Sequence, residues 1–126
     1  LSIEDNADFA RIMEHLLKAL DCETHAASDA DTGFEMACRE DYDMIFCDLG
    51  LGGAMDGLAF ARAIRASEAH HHMPLVAVTA RATPKDRDMA LAAGFDRVFT
   101  KPVKFAELSK VLKDLRHDAG PGVHPR

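Results

Sequence analysis

Apolar residues recur along the chain with two different periods. Leu1–Ile3 is a short apolar run of strand type. Phe9, Ile12, Met13, Leu16, Leu17 and Leu20 then recur at three- and four-residue spacing, which predicts an amphipathic helix. Asp8 stands ahead of that stripe as its N-cap or as a first-turn carboxylate. Glu23–Ala27 reads as a weaker strand, and residues 31–40 as a short helix resting on Phe34, Ala37 and Cys38. Met44–Cys47 ("MIFC") is a continuous apolar run bounded by acids, the pattern of a strand buried on both faces. A glycine-rich segment, "LGLGGAMDG", leads into a helix near 58–66 with Leu58, Ala61 and Ile64 inward. The polar break "SEAHHHMP" precedes a second continuous run, Leu75–Val78. Pro84 suits the first turn of a helix reaching Ala93, and Gly94 suits its stop. "RVFT" is a fifth strand, and Phe105, Leu108, Val111, Leu112 and Leu115 mark a last amphipathic helix.

Five strand–helix pairs in alternation predict an α/β fold, a parallel sheet with right-handed crossovers and helices on both faces. The two wholly apolar strands belong at its centre, and the thinner ones suit the edges. At 126 residues the chain is one domain, assigned to residues 1–116. The closing "HDAGPGVHPR", rich in Gly and Pro, makes 117–126 a flexible tail. The chain opens on Leu1 directly against strand-like residues and is read as having lost its upstream neighbours.

Composition narrows the classes. The chain is 48% hydrophobic and 29% charged, which suits a globular domain rather than a disordered one. A net charge of −6 argues against direct binding of nucleic acid, which needs a basic face. No apolar run approaches the ~20 residues of a membrane span, and no signal peptide opens the chain. Cys22, Cys38 and Cys47 show no CxxC spacing and read as small core residues in a reducing compartment, the cytoplasm.

The polar residues fall where a ligand edge would be. Glu4 and Asp5 follow the first strand, Asp48 the third, Thr79 the fourth and Lys101 the fifth. Ligands of open α/β sheets bind outside the carboxyl ends of the strands. Three carboxylates converging there must either raise a pKa or admit a cation. An all-oxygen site open to water favours Mg²⁺, and carbonyl oxygens of the "LGLGG" loop could complete it. A cation, a lysine and a threonine hydroxyl around a carboxylate make a phosphoryl site, with that carboxylate as nucleophile.

"IEDN", "MIFCDLGLGGAMDGL", "VAVTARA" and "VFTKPV" resemble, in order and spacing, the signature segments of response-regulator receiver domains of two-component signalling. The resemblance covers residues 1–116. It implies a flavodoxin-like (βα)5 sandwich of strand order 2-1-3-4-5 and a cis peptide before Pro102. It implies that Asp48 is the phosphoacceptor, that Glu4, Asp5, Asp48 and the Gly50 carbonyl hold Mg²⁺, and that Thr79 and Lys101 receive the phosphoryl group. Three departures from the family pattern stand out. Gly52 stands where a proline is usual, in a loop one residue longer. Val98 stands where an aromatic ring usually reports activation, while the neighbouring Phe99 faces the other side. Gly50 and Arg81 occupy the two positions that tune loss of phosphate; a bare Gly50 leaves water access open, and Arg81 could cover the phosphoryl group.

The resemblance also implies partners: a histidine kinase or phosphotransfer domain as donor, and an output partner on the face of the fourth helix, fifth strand and fifth helix, with homodimerisation left open. The "FTKPV" and "DLGL" segments look like receivers attached to hybrid sensor kinases, with a single-domain regulator as the alternative. Such a domain is a self-phosphorylating acceptor rather than an enzyme in its own right, with no membrane contact of its own. Two other functions compete: a receiver-fold interaction module that takes no phosphate, and an aspartyl-nucleophile phosphohydrolase, which would want an acid where Gly50 stands. His70, His71 and His72 read as a solvated loop, and the glycines at 50, 52, 53 and 57 lack the spacing of a dinucleotide fingerprint.

Overall fold

Four helices begin where a short polar side chain satisfies an amide that the first turn leaves open. Asn6 accepts from the Phe9 N–H, Asp29 from Thr32, Asp56 from Ala59 and Thr83 from Asp86. These caps open α1 (Ala7–Ala19), α2 (Ala30–Arg39), α3 (Gly57–Ala66) and α4 (Pro84–Ala93); α5 is Phe105–Ala119. The cap of α1 is Asn6, and Asp8 takes the first-turn position. Between the helices run β1 (Ser2–Ile3), β2 (Ala26–Ala27), β3 (Ile45–Asp48), β4 (Leu75–Thr79) and β5 (Arg97–Thr100). This computed structural model describes residues 1–53 and 55–119. Helix α5 continues past residue 116 to Ala119, and positions 120–126 of the expected tail lie outside the described residues.

All strand pairs are parallel, in the order β2-β1-β3-β4-β5, which is the flavodoxin-like topology. β3 lies at the centre and β4 beside it, as their apolar runs require. β1 is also interior although only two residues pair in it, and β2 is shorter than the expected 23–27. Strand alternation sends Ile45, Cys47, Leu75, Ala77 and Val98 to one face, against α2, α3 and α4. Phe46, Val76, Val78 and Phe99 face the other way, against Met13 and Leu17 of α1 and Leu108, Val111 and Leu115 of α5. Phe60, with no exposed surface, is the largest fully buried side chain; burying such a ring contributes about 2–3 kcal/mol.

Three apolar positions differ from the expected core. Cys38 is exposed on α2, so of the three thiols only Cys47 is fully buried. Ile12 and Phe105 lie on their helical stripes, yet are 52% and 47% exposed. Both sit at the margin of an apolar stripe.

Helix α4 buries little of its own surface. Only Ala90 and Ala93 are buried in it, while Met89 and Leu91 are exposed. Thr83 and Asp86 form a reciprocal capping box at its start. Its C-cap, Gly94, has φ of 121°, a conformation that favours glycine. The Arg65 guanidinium donates to the Gly94 carbonyl at 2.9 and 2.7 Å, to the Met73 and His71 carbonyls, and to Asp96 at 3.1 Å. Arg65 thereby ties the end of α3 to the start of β4 and the end of α4. His71 and His72, in that tied loop, are exposed, with their ring centroids 3.9 Å apart.

Candidate functional site

The carboxyl ends of β1, β3, β4 and β5 meet at one edge, and their polar residues meet with them. Asp48 is the last residue of β3 and Thr79 the last of β4. Glu4 and Asp5 follow β1 at once, and Lys101 follows β5. Glu4, Asp5 and Asp48 each bring a carboxylate oxygen within 4.8 Å of the others. Asp5 is exposed, whereas the Glu4 and Asp48 side chains keep only 3% and 8% of their surface. The Lys101 ammonium bridges the two buried acids, 2.9 Å from Glu4 Oε1 and 3.4 Å from Asp48 Oδ2.

Backbone amides hold the remaining oxygens. The Gly50 N–H donates to Asp48 Oδ1 at 2.9 Å, and the Asn6 N–H donates to Glu4 Oε2 at 3.1 Å. Thr79 directs the lysine through its main chain, its carbonyl accepting from the Lys101 N–H at 2.8 Å. Its hydroxyl, at the buried edge, accepts from the Arg81 N–H at 3.3 Å. The Lys101–Pro102 peptide is cis, as the resemblance implies. Gly57 is required here by close approach: a Cβ on it would lie 2.7 Å from the Asp48 carbonyl oxygen, so only glycine lets α3 start against β3.

Burial pushes the Glu4 carboxyl above its ordinary range, against the opposing pull of Lys101 and the Asn6 amide. Burial also pulls at the Lys101 ammonium, but the hydrogen bond it donates to Glu4 and the charges of Glu4 and Asp48 outweigh it and hold Lys101 above its usual value. Cys47, beside Asp48 in sequence, faces the core; burial pushes its thiol up and leaves it inert.

These groups open onto a cleft of about 570 Å³ that Gly50, Asp56, Arg81, Asp86 and Met89 also line. A smaller cavity of about 290 Å³ lies at the opposite edge of the sheet, by Leu1, His25 and Tyr42, and shares none of them. The donor set in the cleft fits a hard divalent cation. It offers carboxylate oxygens from three residues, no thiolate or imidazole, and an open side for water. A Cβ at Gly50 would sit 3.5 Å from Asp48 Oδ1, so a glycine there puts no side chain beside that oxygen.

Every predicted site residue thus lines the cleft, namely Glu4, Asp5, Asp48, Gly50, Thr79 and Lys101. Val98 is buried on the α3–α4 face and Phe99 lies on the opposite face, as strand alternation predicts. Sequence reasoning missed two participants. Asn6 links Glu4 to the start of α1, for which the signal was an Asn three residues before the helical stripe. Phe9, read as core alone, lies with its ring centroid 4.4 Å from the Lys101 ammonium; no one-dimensional pattern pairs residues 9 and 101.

Fold and cleft together define the class: a doubly wound α/β domain whose ligand edge suits a hard cation and a phosphoryl group. The family model of the response regulator receiver domain matches residues 1–113, and the chain belongs to that family. It is a receiver domain of two-component signalling, a family that works with histidine kinases or phosphotransfer domains. It is 38% identical over 120 residues to hybrid signal transduction histidine kinase G of Dictyostelium discoideum, covering 93% of this chain and 3% of that protein. It is 31% identical over 113 residues to the chemotaxis protein CheY-3 of Vibrio cholerae, covering 89% of this chain and 86% of that one. Among solved structures, the receiver domain of sensor histidine kinase PA1611 from Pseudomonas aeruginosa superposes with a TM-score of 0.83 at 33% identity, covering 90% and 93% of the two chains. That structure carries a magnesium ion in its active-site cleft. The chain spans only 3–14% of the hybrid and sensor kinases among its first curated relatives. No helix among the described residues is long and apolar enough to cross a membrane.

Proposed function

We propose that this receiver accepts a phosphoryl group on Asp48 from a phosphohistidine of a histidine kinase or phosphotransfer domain. An Asp48 carboxylate oxygen attacks phosphorus in line, the P–N bond breaks as the P–O bond forms, and the imidazole leaves with its electron pair and takes up a proton. Glu4, Asp5, Asp48 and the Gly50 carbonyl would hold Mg²⁺, which when bound neutralises charge on the phosphoryl oxygens. Lys101 turns its ammonium from Glu4 to a phosphoryl oxygen, and the Thr79 hydroxyl donates to another. Because Thr79 also accepts from Arg81 and leads into α4, its movement alters the α4–β5–α5 face, which takes the output partner or a second copy. The domain holds its phosphate rather than turning it over, works in the cytoplasm, touches neither nucleic acid nor membrane, and is read as part of a hybrid sensor kinase, with a single-domain regulator as the alternative.

One observation carries this reading: three acidic oxygens within 4.8 Å of one another, beside an ammonium that bridges Glu4 and Asp48. Incubation with an acyl phosphate and Mg²⁺ tests it by intact mass. One phosphoryl group per chain is expected, absent in Asp48→Asn. Continuous release of phosphate would instead mark a hydrolase, and no labelling a bare interaction module.

A further inference from the structure

The Lys101 ammonium has a third partner besides the two carboxylates. The ring of Phe9 lies beneath it, with 4.4 Å from Nζ to the ring centroid. Phe9 is half-buried in the first turn of α1 and packs against the α1–α5 core, so the ring is not free to wander. Its backbone is fixed too: the Phe9 N–H donates to Asn6 Oδ1 at 3.0 Å, and the Asn6 N–H donates to Glu4 Oε2. Glu4, Asn6, Phe9 and Lys101 therefore form a closed loop of contacts, with the ammonium resting on Glu4 at one side and on the ring at the other.

We propose that Phe9 is a positioning residue for phosphoryl capture, holding Lys101 in the cleft through a cation–π contact while its N–H groups are released to the incoming oxygens. The inference rests on the phosphoacceptor reading above. A cation on Glu4 and Asp48 competes with the lysine for the same oxygens, so the strongest of its present contacts is the one it must give up. A long four-carbon stem left without that contact would spread over many rotamers. The ring face attracts the ammonium without accepting any of its hydrogen bonds, so it persists when the partners change. No other aromatic ring among the described residues is recorded against Lys101.

Replacing Phe9 with mono-, di- and trifluorophenylalanine withdraws charge from the ring face step by step while keeping its shape. Binding of beryllium trifluoride anion with Mg²⁺, a phosphoryl mimic, is followed by amide NMR, with thermal melting to show that each variant is folded. Affinity is expected to fall in order across the series, by about three- to tenfold in all, and Phe9→Leu to match the weakest member. Phe9→Trp, with the stronger face, should restore it. Flat affinity across the fluorinated series, with the parent binding normally, overturns the role of Phe9 alone. A parent protein that binds no beryllium trifluoride overturns the phosphoacceptor reading itself.

Discussion

Lys101→Met tests how the cleft balances its own charge. At an effective dielectric of about 20, unit charges at the observed 2.9 and 3.4 Å attract by about 6 and 5 kcal/mol before desolvation is counted. Losing one partner of a buried pair costs about 3–5 kcal/mol. The Lys101 side chain keeps 22% of its surface, so screening lowers the expected loss to about 2–3 kcal/mol. What remains is an uncompensated acidic trio, whose oxygens at up to 4.8 Å repel by about 3.5 kcal/mol per pair on the same scale. Magnesium is then the natural replacement, and at about a hundredfold over its Kd it stabilises by about 2.7 kcal/mol. Urea unfolding in EDTA should therefore show Lys101→Met less stable by about 2–3 kcal/mol, with most of the gap closing in saturating magnesium. Calorimetry should show the variant binding magnesium about tenfold tighter or more, since no ammonium has to be displaced. A variant as stable as its parent in EDTA, or one that binds the ion more weakly, would refute the reasoning.

Phe60→Ala should cost about 3–5 kcal/mol in the same unfolding assay, because nothing around a ring with no exposed surface is placed to fill the void. The Thr32 amide holds the Asp29 carboxyl, the exposed cap of α2, below its ordinary value. A depressed carboxyl gives stability above its unfolded pKa of about 3.9 and loses it as pH falls through the folded value. Hydrogen exchange at Thr32 should accordingly lose protection as pH drops below about 4, and Asp29→Asn, which caps without titrating, should keep it. Gly50→Leu would put an apolar side chain beside Asp48 Oδ1, where a Cβ alone comes within 3.5 Å, and should slow loss of the phosphoryl group several-fold in a timed intact-mass assay. Arg81→Ala should speed it if the guanidinium covers that group, and unchanged lifetimes in both would remove these positions from its control.

The fold was legible where one-dimensional signals have one three-dimensional meaning. Continuous apolar runs at Met44–Cys47 and Leu75–Val78 can be satisfied only inside the sheet, and both lie there. Pro84 and Gly94 bounded α4 without help from its face, which is nearly featureless. Periodicity failed at stripe margins. It placed Ile12 and Phe105 inward, and in "GLAFARAIRA" so many positions are apolar that the phase hid Phe60. β1 was hard to place because its two paired residues carry little pattern; its interior position comes from partners on both sides. The cleft was legible because polar residues at strand ends need only the topology to converge. What stayed hidden were contacts made by crossing elements: Asn6 to Glu4, and Phe9 to Lys101.

The way α4 is fastened bears on how a signal leaves the domain. Beneath it lie only the methyl groups of Ala90 and Ala93, so sliding or rolling the helix uncovers little apolar surface and opens no large void. Its polar ties to the rest of the domain are few: the Arg87 guanidinium donates to the Val98 carbonyl at 3.3 Å, and the Arg65 guanidinium holds its end at Gly94. Such a helix can be displaced whole at little apolar cost while Phe60 and Ile64 below stay packed. On the proposed phosphoacceptor reading, a pull on Thr79 reaches the start of α4 first and would carry the exposed Met89 and Leu91 with the helix.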